Sequence, residues 1–525
     1  MLNVHPIARG GAVATGSPWA TEAGTEMLRQ GGTAADAAAA AALAICVADP
    51  ANASIIGRCQ IVLRTREGRF TAIDGASAIP SCLPETLGTG PLACAAIPCL
   101  PQALEKLHAE HGRLPLAVVA APAARLAEDG FIPPRHLAAA WAQNADALAK
   151  GGAGPYLDHA GPPARFNHCR LATLLRAFGE RGAAAITSGE TARILAEGVR
   201  ARGGYWRAED LAANAALDGD VLHARFRDCQ VTTIGRQGWG HTLIQMLSIL
   251  DRLPPFGDSL TGAEACRLVD VIETCFGDRP QRLGSLEPKP GGYALEALIA
   301  PDFVAARAAE IARRLAEDTP AVGLTKAPTA KMIRDKDTTH LSTLDAEGAT
   351  VSMTMSIGPH FGLRATDATF GLLPAKSYRM TRDPVPGARD VTEMSPVIVM
   401  RGNRVLLSVG AAGSELIPGA IVQVIVNVVD RGFSLAESLR APRVNVSQSG
   451  VGIQVEVGAE VIGTLRARWP DLEMSGEGSD HLGVVQAVGH NADGLPDGAA
   501  DEAWDGSWVA VAPSALEASE ASVAS

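Results

Sequence analysis

The feature that most constrains the fold is a change of pattern at one point in the chain. Up to about residue 330 of the 525, apolar residues recur mainly at helical spacing, whereas behind Asp337 they alternate, which is the period of a strand. The runs 338–345 and 349–356, separated by Ala346-Glu347-Gly348, predict a hairpin, and 396–400 with 404–409 predict a second around Arg401-Gly402-Asn403. Neither half is pure. Strand-like runs at 61–64 and 70–74, joined at Glu67-Gly68, lie in the helical part. Helical stretches at 416–430 and 435–439 lie in the β-rich part, with further strands predicted at 452–457, 482–488 and 507–511. Helices and strands thus interleave on both sides of position 338, which predicts one layered α/β domain and not two independent ones.

Helices are predicted at 21–29, 34–47, 116–128, 171–180, 191–202, 241–250, 263–276 and 302–315, with Gly31-Gly32 stopping the first of them. The run 34–47 is mostly Ala with Asp36 inside it, too short and too weakly apolar to span a bilayer. Met1-Leu2-Asn3-Val4-His5-Pro6 has no secretory pattern, so a soluble, cytoplasmic protein is expected. A net charge of −11 argues against general nucleic-acid binding. Nine cysteines without C-x-x-C spacing fit reduced, buried thiols better than a zinc site or disulfide framework. All nine precede Thr338, so no disulfide can join the pieces of a chain cut there. Residues 321–336 read as a polar loop that a cut would free, and the Ala/Ser/Glu tail after Pro513 reads as disordered.

The string Asp337-Thr338-Thr339-His340-Leu341-Ser342 resembles the processing site of the γ-glutamyltransferase family, in which Thr-Thr-His-x-Ser opens the small subunit and its first Thr is the nucleophile. Matching motifs run over nearly the whole chain. Before the string come Ala20-Thr21-Glu22-Ala23-Gly24, Gly31-Gly32-Thr33-Ala34-Ala35-Asp36, Gly112-Arg113-Leu114-Pro115 and Gly203-Gly204 with Glu209-Asp210-Leu211. After it come Met394-Ser395-Pro396, Gly410-Ala411-Ala412-Gly413-Ser414, Ala441-Pro442-Arg443 and Gly498-Ala499-Ala500-Asp501 with Asp505-Gly506.

This resemblance implies a four-layer αββα sandwich of the N-terminal-nucleophile type, with Thr338 at the start of a central strand. It implies a self-made cut between Asp337 and Thr338, giving residues 1–337 and 338–525 as two subunits packed in one domain. A dimer of such heterodimers is one compatible assembly. The chemistry is sound: a Thr hydroxyl needs a base, and an α-amine with a pKa of about 7.7–8.0 supplies one on the same residue. No metal or organic cofactor is implied. By the same resemblance Ser356 steadies the amine, the backbone N–H groups of Gly413 and Ser414 form the oxyanion hole, and His340 and Asp278 are structural.

The pocket departs from the family. Ala76 stands where an Arg would hold a γ-glutamyl α-carboxylate, and Lys376 and Arg379 replace ligands of the α-amine. Thr392 and Glu393 replace paired serines, and Gly358 replaces an Asn. Arg58 adds a further cation in a run that the family fills with glycine. These changes predict a small amide whose acidic part meets Arg58, Lys376 or Arg379, similar to the shift in the family's oxamate-hydrolysing branch. A true γ-glutamyl hydrolase or transpeptidase, and an inactive binding relative, are the alternatives.

Overall fold

The structure, a computed structural model, describes residues 10–156, 163–281, 291–319, 338–381, 384–476 and 482–512. Asp337, the remaining linker predicted to be freed, and the tail predicted to be disordered lie outside the described residues.

In chain order the strands are β1 (Gly11–Thr15), β2 (Arg58–Arg64), β3 (Phe70–Gly75), β4 (Leu217–Asp218), β5 (Val221–Phe226), β6 (Cys229–Ile234), β7 (Thr339–Leu344) and β8 (Thr350–Ser356). There follow β9 (Val397–Arg401), β10 (Arg404–Ala412), β11 (Val444–Ser447), β12 (Gly450–Gln454), β13 (Glu473–Ser475), β14 (Val484–His490), β15 (Pro496–Ala500) and β16 (Ser507–Val511). One sheet runs β16-β1-β7-β8-β2-β3-β4 and a second runs β15-β14-β10-β9-β6-β5, all pairs antiparallel. Both sheets combine strands from before and after position 338. The two sheets stack face to face through β7, β8, β10 and β14. Helices Pro18–Arg29 and Ala34–Ala48 cover the first sheet's outer side, with Leu116–Asp129 packed on Ala34–Ala48, while Gly240–Asp251 and Ile417–Val429 cover the second's, with Gly262–Asp278 packed on Gly240–Asp251. This is the expected four-layer αββα sandwich.

Local chemistry explains why the first layer closes so tightly. Gly31, at φ +78, ends the first helix, and Thr33 with Asp36 forms a capping box that starts the second. Every residue of Ala34–Ala48 is buried. Its alanines let neighbours approach, and a Cβ at Gly24 would lie 3.0 Å from Ala37 O. This helix also pins the β7–β8 hairpin: Thr343 Oγ1 donates to Ala34 O at 2.7 Å, and Ala34 N donates to Asp345 Oδ2 at 2.9 Å. The hairpin is thereby held on the helix that the alanine run predicted.

Among the described residues, no helix is long and apolar enough to cross a membrane. The cysteines are free thiols, but Cys82 and Cys169 are exposed, so the expectation that they are all buried does not hold.

Candidate active site

The space between the sheets changes character along the strands. Toward one end it is apolar, with Leu344, Met400, Val405 and Val488 in contact. Toward the other it is polar and hydrogen-bonded. His340 is fully buried on β7, with its Nδ1 2.9 Å from Thr354 Oγ1 and its Nε2 2.9 Å from Ser342 Oγ. Burial pushes its imidazole down to about 3, so the ring is neutral at physiological pH and unsuited to act as a general base there. It packs against Gly410 of β10, where a Cβ would lie 2.3 Å from the ring. This is a structural histidine that clamps the two sheets.

The same polar face fixes the level of four strands. Ser342 pairs with Ser352, whose hydroxyl donates to Val409 O at 3.0 Å and accepts from Val397 N at 3.1 Å. Four residues farther along β7, β8 and β10 toward the same end, about 13 Å at a strand's rise, lie Thr338, Ser356 and Gly413, and Glu393 lies in the segment that leads into β9. The β-ladder adds Arg58 directly opposite Ser356. The register thus brings five positions singled out from sequence to one end of the sandwich.

Thr338 immediately precedes β7 and is 4% exposed. Its φ is +91°, a conformation costing about 1–3 kcal/mol for a β-branched residue, held here by the sheet that follows. Ser356 Oγ accepts from Gly358 N at 2.9 Å and so shapes the turn leaving β8. Gly413, at φ +124, and Ser414, at φ +53, leave β10 in a bend that a short 3₁₀ turn continues. Such a bend re-aims successive N–H groups away from the ladder, as an oxyanion hole requires.

The candidate cations differ sharply in their surroundings. Lys376 is drawn to the turn after β8, where its N donates to Ile357 O at 2.9 Å, and its ammonium lies 5.4 Å from the Tyr378 ring centroid. Among the described residues that ammonium has no ion-pair partner. Arg58 is only 4% exposed, and its Nη1 donates to Lys376 O at 2.9 Å and Ser77 Oγ at 3.3 Å, with Asp390 Oδ2 at 3.6 Å. Asp390 also accepts from Ser77 and Ser377 at 2.7 and 2.8 Å. Burial raises its carboxyl, and Arg58 opposes that rise. The charge and donors of Arg58 are therefore already engaged within the fold. Half-buried Arg379 donates to Arg389 O at 2.9 Å. Thr392 Oγ1 lies 3.5 Å from Gln237 O, and Glu393 faces the buried Arg279 electrostatically.

Asp390, Tyr378 and Arg279 were missed from sequence because no local spacing marks them; only folding brings their segments to this end. Asp278 has the structural role expected, accepting from Gln245 Nε2 at 2.7 Å and pairing with Arg307 through both carboxylate oxygens. Among the described residues no group of three or more His, Cys, Asp or Glu is placed to hold a metal ion.

A four-layer αββα sandwich with a threonine opening a central strand defines the class of N-terminal-nucleophile hydrolases. Residues 20–511 match the gamma-glutamyltranspeptidase family, and the chain belongs to it. It is accordingly an enzyme of the kind that acts on amides through an N-terminal nucleophile. An acylase ACY 1 proenzyme of Pseudomonas sp. (strain V22) is 29% identical over 95% of this chain and 93% of its own. A glutathione hydrolase proenzyme of Escherichia coli (strain K12) is 26% identical over 95% and 91%. A solved cephalosporin acylase from Bacillus halodurans superposes with a TM-score of 0.82 at 22% identity, covering 96% of each chain, which is a likeness of fold.

Proposed function

We propose that this chain is a self-processing threonine amidohydrolase whose nucleophile is Thr338 and whose substrate is a small acidic amide without a γ-glutamyl head. The observation that carries this reading is the level at which Thr338, Ser356 and Gly413 end their strands, with a hydroxyl-bearing residue beside a bent backbone.

In processing, Thr338 Oγ attacks the Asp337 carbonyl carbon, the C–N bond breaks, and an ester links the two while the α-amine is freed. Water then hydrolyses the ester, leaving Asp337 with a carboxylate and Thr338 with its amine. In turnover, that amine takes the hydroxyl proton as Oγ attacks the substrate carbonyl. Gly413 and Ser414 N–H groups receive the oxyanion, the amine returns the proton to the leaving nitrogen, and water releases the acid from the threonyl ester. Ser356 holds the turn beside the amine.

Substrate choice rests on charge. A γ-glutamyl head brings an ammonium that Lys376 and Arg379 would repel, and Ala76 offers its carboxylate nothing. Lys376, the half-buried ammonium without an ion-pair partner among the described residues, is the anchor we assign to an acidic acyl group, with Arg58 held behind it by Asp390. The relative named as an acylase accords with an acyl group other than γ-glutamyl.

A denaturing gel tests the first claim. Active protein splits into pieces of about two-thirds and one-third of the 54.3-kDa chain, whereas Thr338→Ala stays whole and inactive. An intact wild-type chain that still hydrolyses amides would remove Thr338 from the mechanism. Faster turnover of γ-glutamyl-p-nitroanilide than of acidic amides would return the substrate to the γ-glutamyl class.

A further inference from the structure

Five arginines are buried in the described part of the chain: Arg58, Arg267, Arg279, Arg314 and Arg443. Four of them have a carboxylate oxygen within 4 Å, from Asp390 at 3.6, Glu264 at 3.8, Glu310 at 2.6 and Asp501 at 3.0 Å respectively. Arg279, the most buried at 2% exposed, has none among the described residues. Its one side-chain hydrogen bond runs from Nη1 to Thr242 Oγ1 at 2.5 Å, and its Nε is without a partner. The guanidinium stacks 3.7 Å from the Trp239 ring centroid. A guanidinium carries five donors and a full charge, so leaving it this sparsely partnered inside a protein is costly. Burial pushes it down to about 9, and the more distant Glu393 only partly offsets this.

Its position gives the deficit a use. Trp239 N donates to Met394 O at 3.3 Å, which seats the start of helix Gly240–Asp251 against the segment carrying Thr392 and Glu393. The first N–H groups of that helix have no intrahelical acceptor, and its dipole adds partial positive charge at the same spot. Buried His241 contributes a further unpartnered ring atom, Nδ1. Arg279, stacked on Trp239, thus stands beside the segment that carries Thr392 and Glu393.

We infer that Arg279 is a specificity-determining residue that receives the carboxylate of the substrate's acyl half, together with the start of helix Gly240–Asp251. This rests on the reading of Thr338 as nucleophile and of the pocket as one for acidic amides. It adds Arg279 to Lys376 as a second cation for the acidic head. Glu393 then acts as the resident anion that balances Arg279 when the pocket is empty and yields to the substrate carboxylate.

The test compares succinamate, which carries a carboxylate on its acyl half, with butyramide, its uncharged analogue, on processed enzyme. Arg279→Met is expected to raise KM for succinamate roughly ten- to hundredfold, the range for one charge-assisted hydrogen bond, and to leave butyramide kinetics and self-cleavage near wild type. Arg279→Lys should restore part of the succinamate KM. An equal loss on both amides would make Arg279 merely structural. If Glu393→Gln abolishes the effect of Arg279→Met on succinamate, Arg279 serves Glu393 alone and the inference fails. A failure of the Thr338 reading shows separately, as a chain that never splits on the gel.

Discussion

Replacing Gly410 by Ala tests whether the His340 clamp sets the geometry of the Thr338 end. The new Cβ would lie 2.3 Å from His340 Cε1 and Nδ1 and 2.8 Å from Cγ, more than 1 Å inside ordinary contact. The ring has nowhere to go, since it is fully buried and tied on both nitrogens. Overpacking of this kind costs about 1–3 kcal/mol, and a ring forced out of place loses two hydrogen bonds worth about 1 kcal/mol each. We expect a destabilisation of about 3–5 kcal/mol in all, read by denaturant unfolding followed by circular dichroism. Because His340 is two residues from Thr338, the shift should also slow self-cleavage, and a misplacement of about 1 Å suffices for a hundredfold loss. Gly463→Ala is the control: nothing lies within 4 Å of the added carbon, and helix Ala459–Arg468 should be unchanged or stabilised by up to about 1 kcal/mol. A Gly410→Ala protein that unfolds and self-cleaves like wild type would refute the clamp.

Two further outcomes follow from named groups. Lys376→Met should raise KM for an acidic amide roughly tenfold or more while sparing self-cleavage; unchanged KM would take Lys376 out of the pocket. Burial raises the Glu273 carboxyl from 4.5 to about 7, so the folded state holds that proton more tightly than the unfolded one. This contribution to stability is complete below pH 4.5 and is lost as pH rises through 7. Glu273→Gln, which keeps an acceptor for Trp469 Nε1, should therefore match wild type near pH 4.5 and exceed it at pH 8 by on the order of 2–3 kcal/mol. Urea midpoints at the two pH values that keep the same gap would contradict this.

What the sequence determined by itself was local. The alanine run, its Gly-Gly stop and its capping residues specify the buried helix Ala34–Ala48. The alternation around 338–356 specifies the hairpin β7–β8. Both signals are written in neighbouring residues, and so were the Thr338 string and its partner Ser356. Strand β1, five small buried residues, gave no alternation to read, because both its faces are covered. The hairpin β5–β6 was missed as well; it belongs to the second sheet, which it joins through β6 on β9, a partner distant in sequence.

What only the tertiary structure decided was which charges are already spent. From sequence, Arg58, Lys376 and Arg379 are equivalent cations in one pocket. Folding pairs Arg58 with Asp390, a residue 332 positions away, and hands an Arg379 donor to a backbone carbonyl. It leaves Lys376 without a counter-ion and buries Arg279 beside Trp239 with no carboxylate oxygen within 4 Å, both among the described residues. An ion pair is a contact between distant segments, so its presence or absence is a property of the packed chain. That is why the sequence could point to a candidate nucleophile, while the side chains proposed to select its substrate emerged from the fold.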